Sequence, residues 1–131
     1  MAKPAQKKGS KQTVLIVEDE ISIAKAQELI LSERYSVHLA HDGEAGLEKA
    51  KELKPDIVVL DIMMPRLSGY EVCRAIRNDS ELDATKIVMV TAKNQDKDEA
   101  LGMDLGADDY IMKPFEPEEL LHVVSQLLKG N

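Results

Sequence analysis

Unbroken runs of aliphatic side chains recur along the chain at Val14-Leu15-Ile16-Val17, Ile57-Val58-Val59-Leu60 and Ile87-Val88-Met89-Val90. Each run is short and rich in β-branched residues, the pattern of a strand buried on both faces of a parallel sheet. Tyr35-Ser36-Val37-His38-Leu39 instead alternates apolar and polar positions, as a strand near a sheet edge does. Tyr110-Ile111-Met112 is a fifth, shorter candidate. Helix-period segments lie between the strands. Ile23, Ala26 and Ile30 share one helical face, Val72, Cys73 and Ile76 another, and Leu120, Val124 and Leu127 a third. Ser68 and Glu71 have the spacing of a capping box, which opens the third helix. Pro117 followed by two glutamates marks the first turn of the last helix, where negative charge meets the positive end of the dipole. Gly106 stops a fourth helical segment, whose interior Gly102 costs about 1 kcal/mol relative to alanine and suggests slack in a movable element. Strands alternating with helices predict an α/β fold, (βα)₅, with a doubly wound five-stranded parallel sheet and helices on both faces.

Length and composition narrow the class. The 131 residues suit one core, and a hydrophobic fraction of 44% argues against disorder. There is no apolar stretch of membrane-spanning length, and no apolar segment follows the N-terminal lysines as in a secretory signal. Cys73 is the single cysteine, so no internal disulfide forms, which fits a reducing, cytoplasmic setting. The net charge of −7 is uneven. Lys3, Lys7, Lys8 and Lys11 lie in residues 1–12, which hold no acid, leaving 13 basic against 24 acidic residues in the remainder. Residues 1–12 therefore read as a disordered basic tail and 13–131 as one acidic domain, which repels nucleic acid phosphates.

Ligands of open α/β sheets bind beyond the carboxyl ends of the strands. There the first strand ends in Glu18-Asp19, the third in Asp61, the fourth in Thr91 and the fifth in Lys113. One acid after a strand is usually a helix cap or a solvated turn, but four strands delivering polar groups to one rim exceed that pattern. Three crowded carboxylates repel one another, and Lys113 supplies one positive charge, which leaves room for a divalent cation. An all-oxygen site with few protein ligands suits Mg²⁺. His38, His41 and His122 are scattered and show no zinc spacing, and the glycine-rich phosphate cradles of nucleotide sites are absent. What remains is a carboxylate that can act as nucleophile towards phosphorus, with Lys113 and Thr91 placed to hold the transferred group.

These residues, read as motifs, resemble the receiver domains of bacterial two-component response regulators. The likeness rests on Val17-Glu18-Asp19-Glu20; Leu60-Asp61-Ile62-Met63-Met64-Pro65 with Gly69 four residues on; Val90-Thr91-Ala92; and Gly106-Ala107-Asp108-Asp109-Tyr110 running on to Lys113-Pro114-Phe115. It covers residues 13–128, in order. The resemblance implies a flavodoxin-like strand order, 2-1-3-4-5. It implies that Asp61 is phosphorylated by a sensor histidine kinase or a histidine phosphotransfer protein. Mg²⁺ would be held by Asp19, Asp61 and the Met63 carbonyl, with Glu18 assisting through water. Thr91, Ala92 and Lys113 would bind the phosphoryl group, and the Lys113–Pro114 bond would be cis. Tyr110 would change rotamer with Thr91 and signal to a downstream protein. On this reading the chain is a phosphoprotein switch in signal transduction and not an enzyme acting on other substrates.

Alternatives remain at this point. An aspartyl phosphohydrolase would want a second acid two residues beyond the nucleophile, where Met63 stands. A scaffold that has lost its chemistry would not need the complete site. A receiver cut from a longer DNA-binding regulator is the runner-up to a stand-alone domain. Receivers of winged-helix regulators dimerise through salt bridges between their fourth and fifth helices. The matching positions here, Glu99 and Glu119, are both acidic, and Val123 replaces the arginine that would meet Asp109. A monomer is therefore expected.

Overall fold

A computed structural model of the chain describes residues 11–92 and 105–129. The strands are β1 (Thr13–Val17), β2 (Ser36–Ala40), β3 (Ile57–Asp61), β4 (Lys86–Ala92) and β5 (Asp109–Lys113). They form one sheet in the order β2-β1-β3-β4-β5, parallel at every pairing. Four α-helices are described: α1 (Ile21–Leu31), α2 (Gly43–Leu53), α3 (Gly69–Arg77) and a C-terminal helix (Pro117–Leu128). The expected tail and fourth helical segment, with Glu99 and Gly102, lie largely outside the described residues.

The strand pattern explains the layers, because neighbouring side chains in a strand point to opposite faces. Leu15, Val17, Val58, Leu60, Ile87 and Met89 build one core with Val72, Cys73 and Ile76 of α3. Val14, Ile16, Ile57, Val59, Val88 and Val90 build the other with Leu31 of α1 and Leu120, Val124 and Leu128 of the C-terminal helix. Every residue of β3 is buried. The central strand can thus be apolar throughout until it emerges at Asp61.

Local signals set the helix ends. Ser68 and Glu71 make both bonds of the capping box, at 3.4 and 2.9 Å. Pro117 occupies the first turn of the C-terminal helix with Glu118 and Glu119. On α1 the buried residues are Ala24, Gln27 and Leu31, whereas Ala26 is exposed and Ile23 and Ile30 are half-buried. The expected stripe is therefore rotated by about one residue. A polar Gln27 on the inner face hides that face from a hydrophobicity pattern.

Candidate functional site

The rim is assembled by main-chain anchoring at the ends of β1 and β3. The Glu18 N–H donates to the Ala40 carbonyl at 3.0 Å, extending the β1–β2 ladder past the strand. His41 Nδ1 contacts the Glu18 carbonyl at 3.2 Å, and the Glu20 N–H donates to Glu18 Oε2 at 3.1 Å. Glu18 is thereby held from both sides and buried, while Asp19 stays exposed. Beyond Asp61, the Ile62 N–H donates to Val90 at 3.0 Å, and the N–H groups of Met64 and Gly69 both donate to the Ile62 carbonyl. The loop after β3 is closed on its own first residue. Arg66 in that loop takes a left-handed backbone, with φ of 66°.

Carboxylate oxygens of Glu18, Asp19 and Asp61 lie within 4.8 Å of one another. Lys113 reaches them from β5, its Nζ 3.2 Å from Glu18 Oε1 and 3.8 Å from Asp61 Oδ2. Asp61 is only 5% exposed, and its Oδ1 accepts the Met63 N–H at 3.3 Å. Burial, with the neighbouring Glu18 charge adding to it, pushes the Asp61 carboxyl up from 3.8 to about 7; Lys113 and the Met63 N–H act in the opposite direction. Among the described residues, one ammonium group faces three carboxylates. This deficit of positive charge, in an all-oxygen donor set, fits a hard divalent cation.

Thr91 is 1% exposed, and Ala92 pairs in register with Lys113 across β4 and β5. Met63 is 59% exposed, and its N–H is the group that reaches Asp61. The Lys113–Pro114 peptide bond is cis. Tyr110, half-buried on β5, lies with its hydroxyl 3.4 Å from that of Tyr70, on the first turn of α3. The structure therefore brings Glu18, Asp19, Asp61, Thr91 and Lys113 to one end of the sheet, with Tyr110 farther back along β5.

Two contributors, Tyr70 and Arg77, had not been singled out from the sequence, and Gly69 had entered only as part of a motif. Tyr70 follows Gly69 without any motif of its own. Gly69 approaches the chain so closely that a Cβ there would lie 2.7 Å from Ile62 Cα. Arg77 links α3 to the start of β5, donating to the Gly106 carbonyl and to Asp108 Oδ2, each at 2.8 Å. Asp108 also accepts the Ile87 N–H at 2.8 Å, so it fastens the sheet and stands apart from the rim. Cys73 is buried, and that burial pushes its thiol up, away from reactivity. Asp109 and Glu119 are exposed, and Val123 packs against the second core. Among the described residues, no helix is long and apolar enough to cross a membrane.

A family model described as response regulator receiver domain matches residues 14–125. Response regulator ArlR of Staphylococcus haemolyticus is 44% identical over 117 residues, which are 88% of this chain and 52% of that protein. ArlR of Staphylococcus epidermidis is 45% identical over the same length. The chain thus spans about half the length of the curated relatives it matches. Among solved structures, chemotaxis protein CheY4 of Vibrio cholerae aligns with a TM-score of 0.85 at 33% identity, covering 91% of this chain and all of that one. The BeF₃-activated DrrB receiver domain gives 0.83 at 34%, covering 91% and 98%.

Proposed function

Because this chain belongs to the response regulator receiver domain family, we propose that Asp61 accepts a phosphoryl group from a phosphohistidine on a sensor kinase or phosphotransfer protein. The observation that carries the reading is the Glu18–Asp19–Asp61 cluster with Lys113 against it. An Asp61 oxygen bonds to phosphorus as the phosphorus–nitrogen bond of the donor breaks. Asp19, Asp61 and the Met63 carbonyl are the groups that would hold Mg²⁺, with Glu18 beside them. Bound there, Mg²⁺ supplies charge neutralisation to the transferred group. Lys113 pairs with Asp61 before transfer and with the phosphoryl oxygens afterwards, and the Thr91 hydroxyl donates to one of those oxygens. Tyr110 then moves with Thr91, presenting an altered surface to a downstream protein. Output runs through protein contacts, which suits the acidic body.

Incubation with acetyl phosphate and Mg²⁺ should add one phosphate at Asp61, read by mass spectrometry of the intact protein. Asp61→Asn should carry no equivalent adduct, and EDTA should abolish labelling of the parent. Undiminished labelling of the variant would remove Asp61 from its role.

Assembly gives a second expected result. The exposed Glu119 and the core-packed Val123 lack the charge pattern of a symmetric dimer through the C-terminal helix. Light scattering of the beryllofluoride-activated protein should report a monomer at micromolar concentration. A dimer placing Glu99 against Glu119 would overturn this and favour the reading as part of a DNA-binding regulator.

A further inference from the structure

We propose that Tyr70 is a positioning residue for Tyr110, holding its ring towards α3 before phosphorylation and so setting how readily the protein switches. The inference rests on the phospho-acceptor reading above and adds a residue to it. The two hydroxyls are 3.4 Å apart. That is longer than a usual O–H···O bond, so the contact biases a rotamer without locking it.

The placement of Tyr70 makes the contact informative about the rim. Its helix is fixed to the phospho-acceptor strand by the Gly69 N–H bond to Ile62 at 3.0 Å and by the Ser68–Glu71 capping box. Tyr110 is on β5, three residues before Lys113, and pairs in register with Met89 of β4. The hydroxyl pair therefore joins the element that follows Asp61 to the strand that carries Lys113. A displacement at either end of the rim alters the distance between the two rings.

Tyr70 borders open space. It lines a groove of about 460 Å³ with Met63, Pro65 and Ser68, and one of about 230 Å³ with Arg74 and Leu105. Both tyrosines are half-buried at the border of the first core.

The test is a double-mutant cycle of Tyr70→Phe and Tyr110→Phe, read as affinity for beryllofluoride with Mg²⁺ by calorimetry. Tyr110 ring resonances in NMR spectra provide the second readout. Each phenylalanine keeps the ring and removes one hydroxyl. Tyr70→Phe should tighten beryllofluoride binding roughly 2- to 5-fold, the lower range for one net hydrogen bond. It should also shift the Tyr110 ring signals of the free protein towards their activated positions. Adding Tyr70→Phe to Tyr110→Phe should have a smaller effect than Tyr70→Phe alone, because the contact between the two hydroxyls is already gone. Equal affinity and unmoved Tyr110 signals in Tyr70→Phe would overturn the proposal, as would full additivity in the cycle. If the parent protein itself binds no beryllofluoride, the phospho-acceptor reading falls and takes this inference with it.

Discussion

Without divalent cations, the protein will lose stability as the pH rises from about 4 to about 7, and Asp61→Asn will remove much of that loss. The cause is the Asp61 carboxyl, raised from 3.8 to about 7 by burial and by Glu18. Between those values the unfolded chain has released this proton while the folded protein still holds it. The folded state then binds more protons, so stability falls as pH increases. Below about 4 both states are protonated and the contribution is fully present; above about 7 both are ionised and the loss is complete. A full shift of this size corresponds to a ceiling of about 4 kcal/mol. Sharing of charge with Glu18 and Lys113 reduces it to on the order of 2 kcal/mol. Denaturant melts in EDTA should show Asp61→Asn more stable than the parent by that amount at pH 7.5, with the gap closing towards pH 4. Mg²⁺ should narrow the gap at pH 7.5 by stabilising the ionised parent. Parallel pH curves for the two proteins would show that Asp61 is not strained by its surroundings.

The same burial that raises Asp61 explains why the rim could be found from the sequence. A central parallel strand must be apolar along its length, so the first polar residue after Ile57-Val58-Val59-Leu60 marks where the strand leaves the core. Asp61 and Thr91 stand out for that reason, and β1 announces Glu18 and Asp19 in the same way; Lys113 ends the half-exposed edge strand β5 and is marked only by its motif. Sequence pattern was less informative where a contact joins distant elements through unremarkable residues. Tyr70 and Tyr110 are separated by 40 residues, and nothing in either neighbourhood encodes their approach. Gln27 misdirected the α1 stripe because an amide on a buried face carries no hydrophobic signal; its side-chain nitrogen and oxygen have no hydrogen-bond partner among the described residues. Arg77 carries no motif in the sequence, yet its pair with Asp108 ties α3 to the residue that leads into β5. Periodicity reports the environment of a residue and says little about its partner.

Gly69 was legible only as part of a motif, and its physical role leads to the largest expected stability loss. An added Cβ would lie 2.7 Å from Ile62 Cα and 3.0 Å from the Asp61 carbonyl carbon, and closer still to the Asp61 carbonyl oxygen. All three are main-chain atoms of the acceptor strand and its exit, so no rotamer change can relieve the overlap. Either α3 moves outward, breaking the Gly69 N–H bond to Ile62, or the main chain at Asp61 shifts. Overpacking usually costs about 1–3 kcal/mol, and a clash with fixed backbone belongs at or above the upper end. Gly46→Ala provides the contrast. Its added Cβ would meet the Val17 side chain at 2.8 Å, and alanine's better helix propensity offsets part of that cost. We expect Gly69→Ala to destabilise the protein by at least about 3 kcal/mol in denaturant melts and Gly46→Ala by about 1 kcal/mol. In whatever Gly69→Ala protein remains folded, acetyl phosphate labelling of Asp61 should slow by more than tenfold, because the displaced main chain carries the acceptor. A Gly69→Ala protein with parental stability and labelling rate would mean that α3 is free to slide on β3, and that its first turn does not fix the loop beyond Asp61.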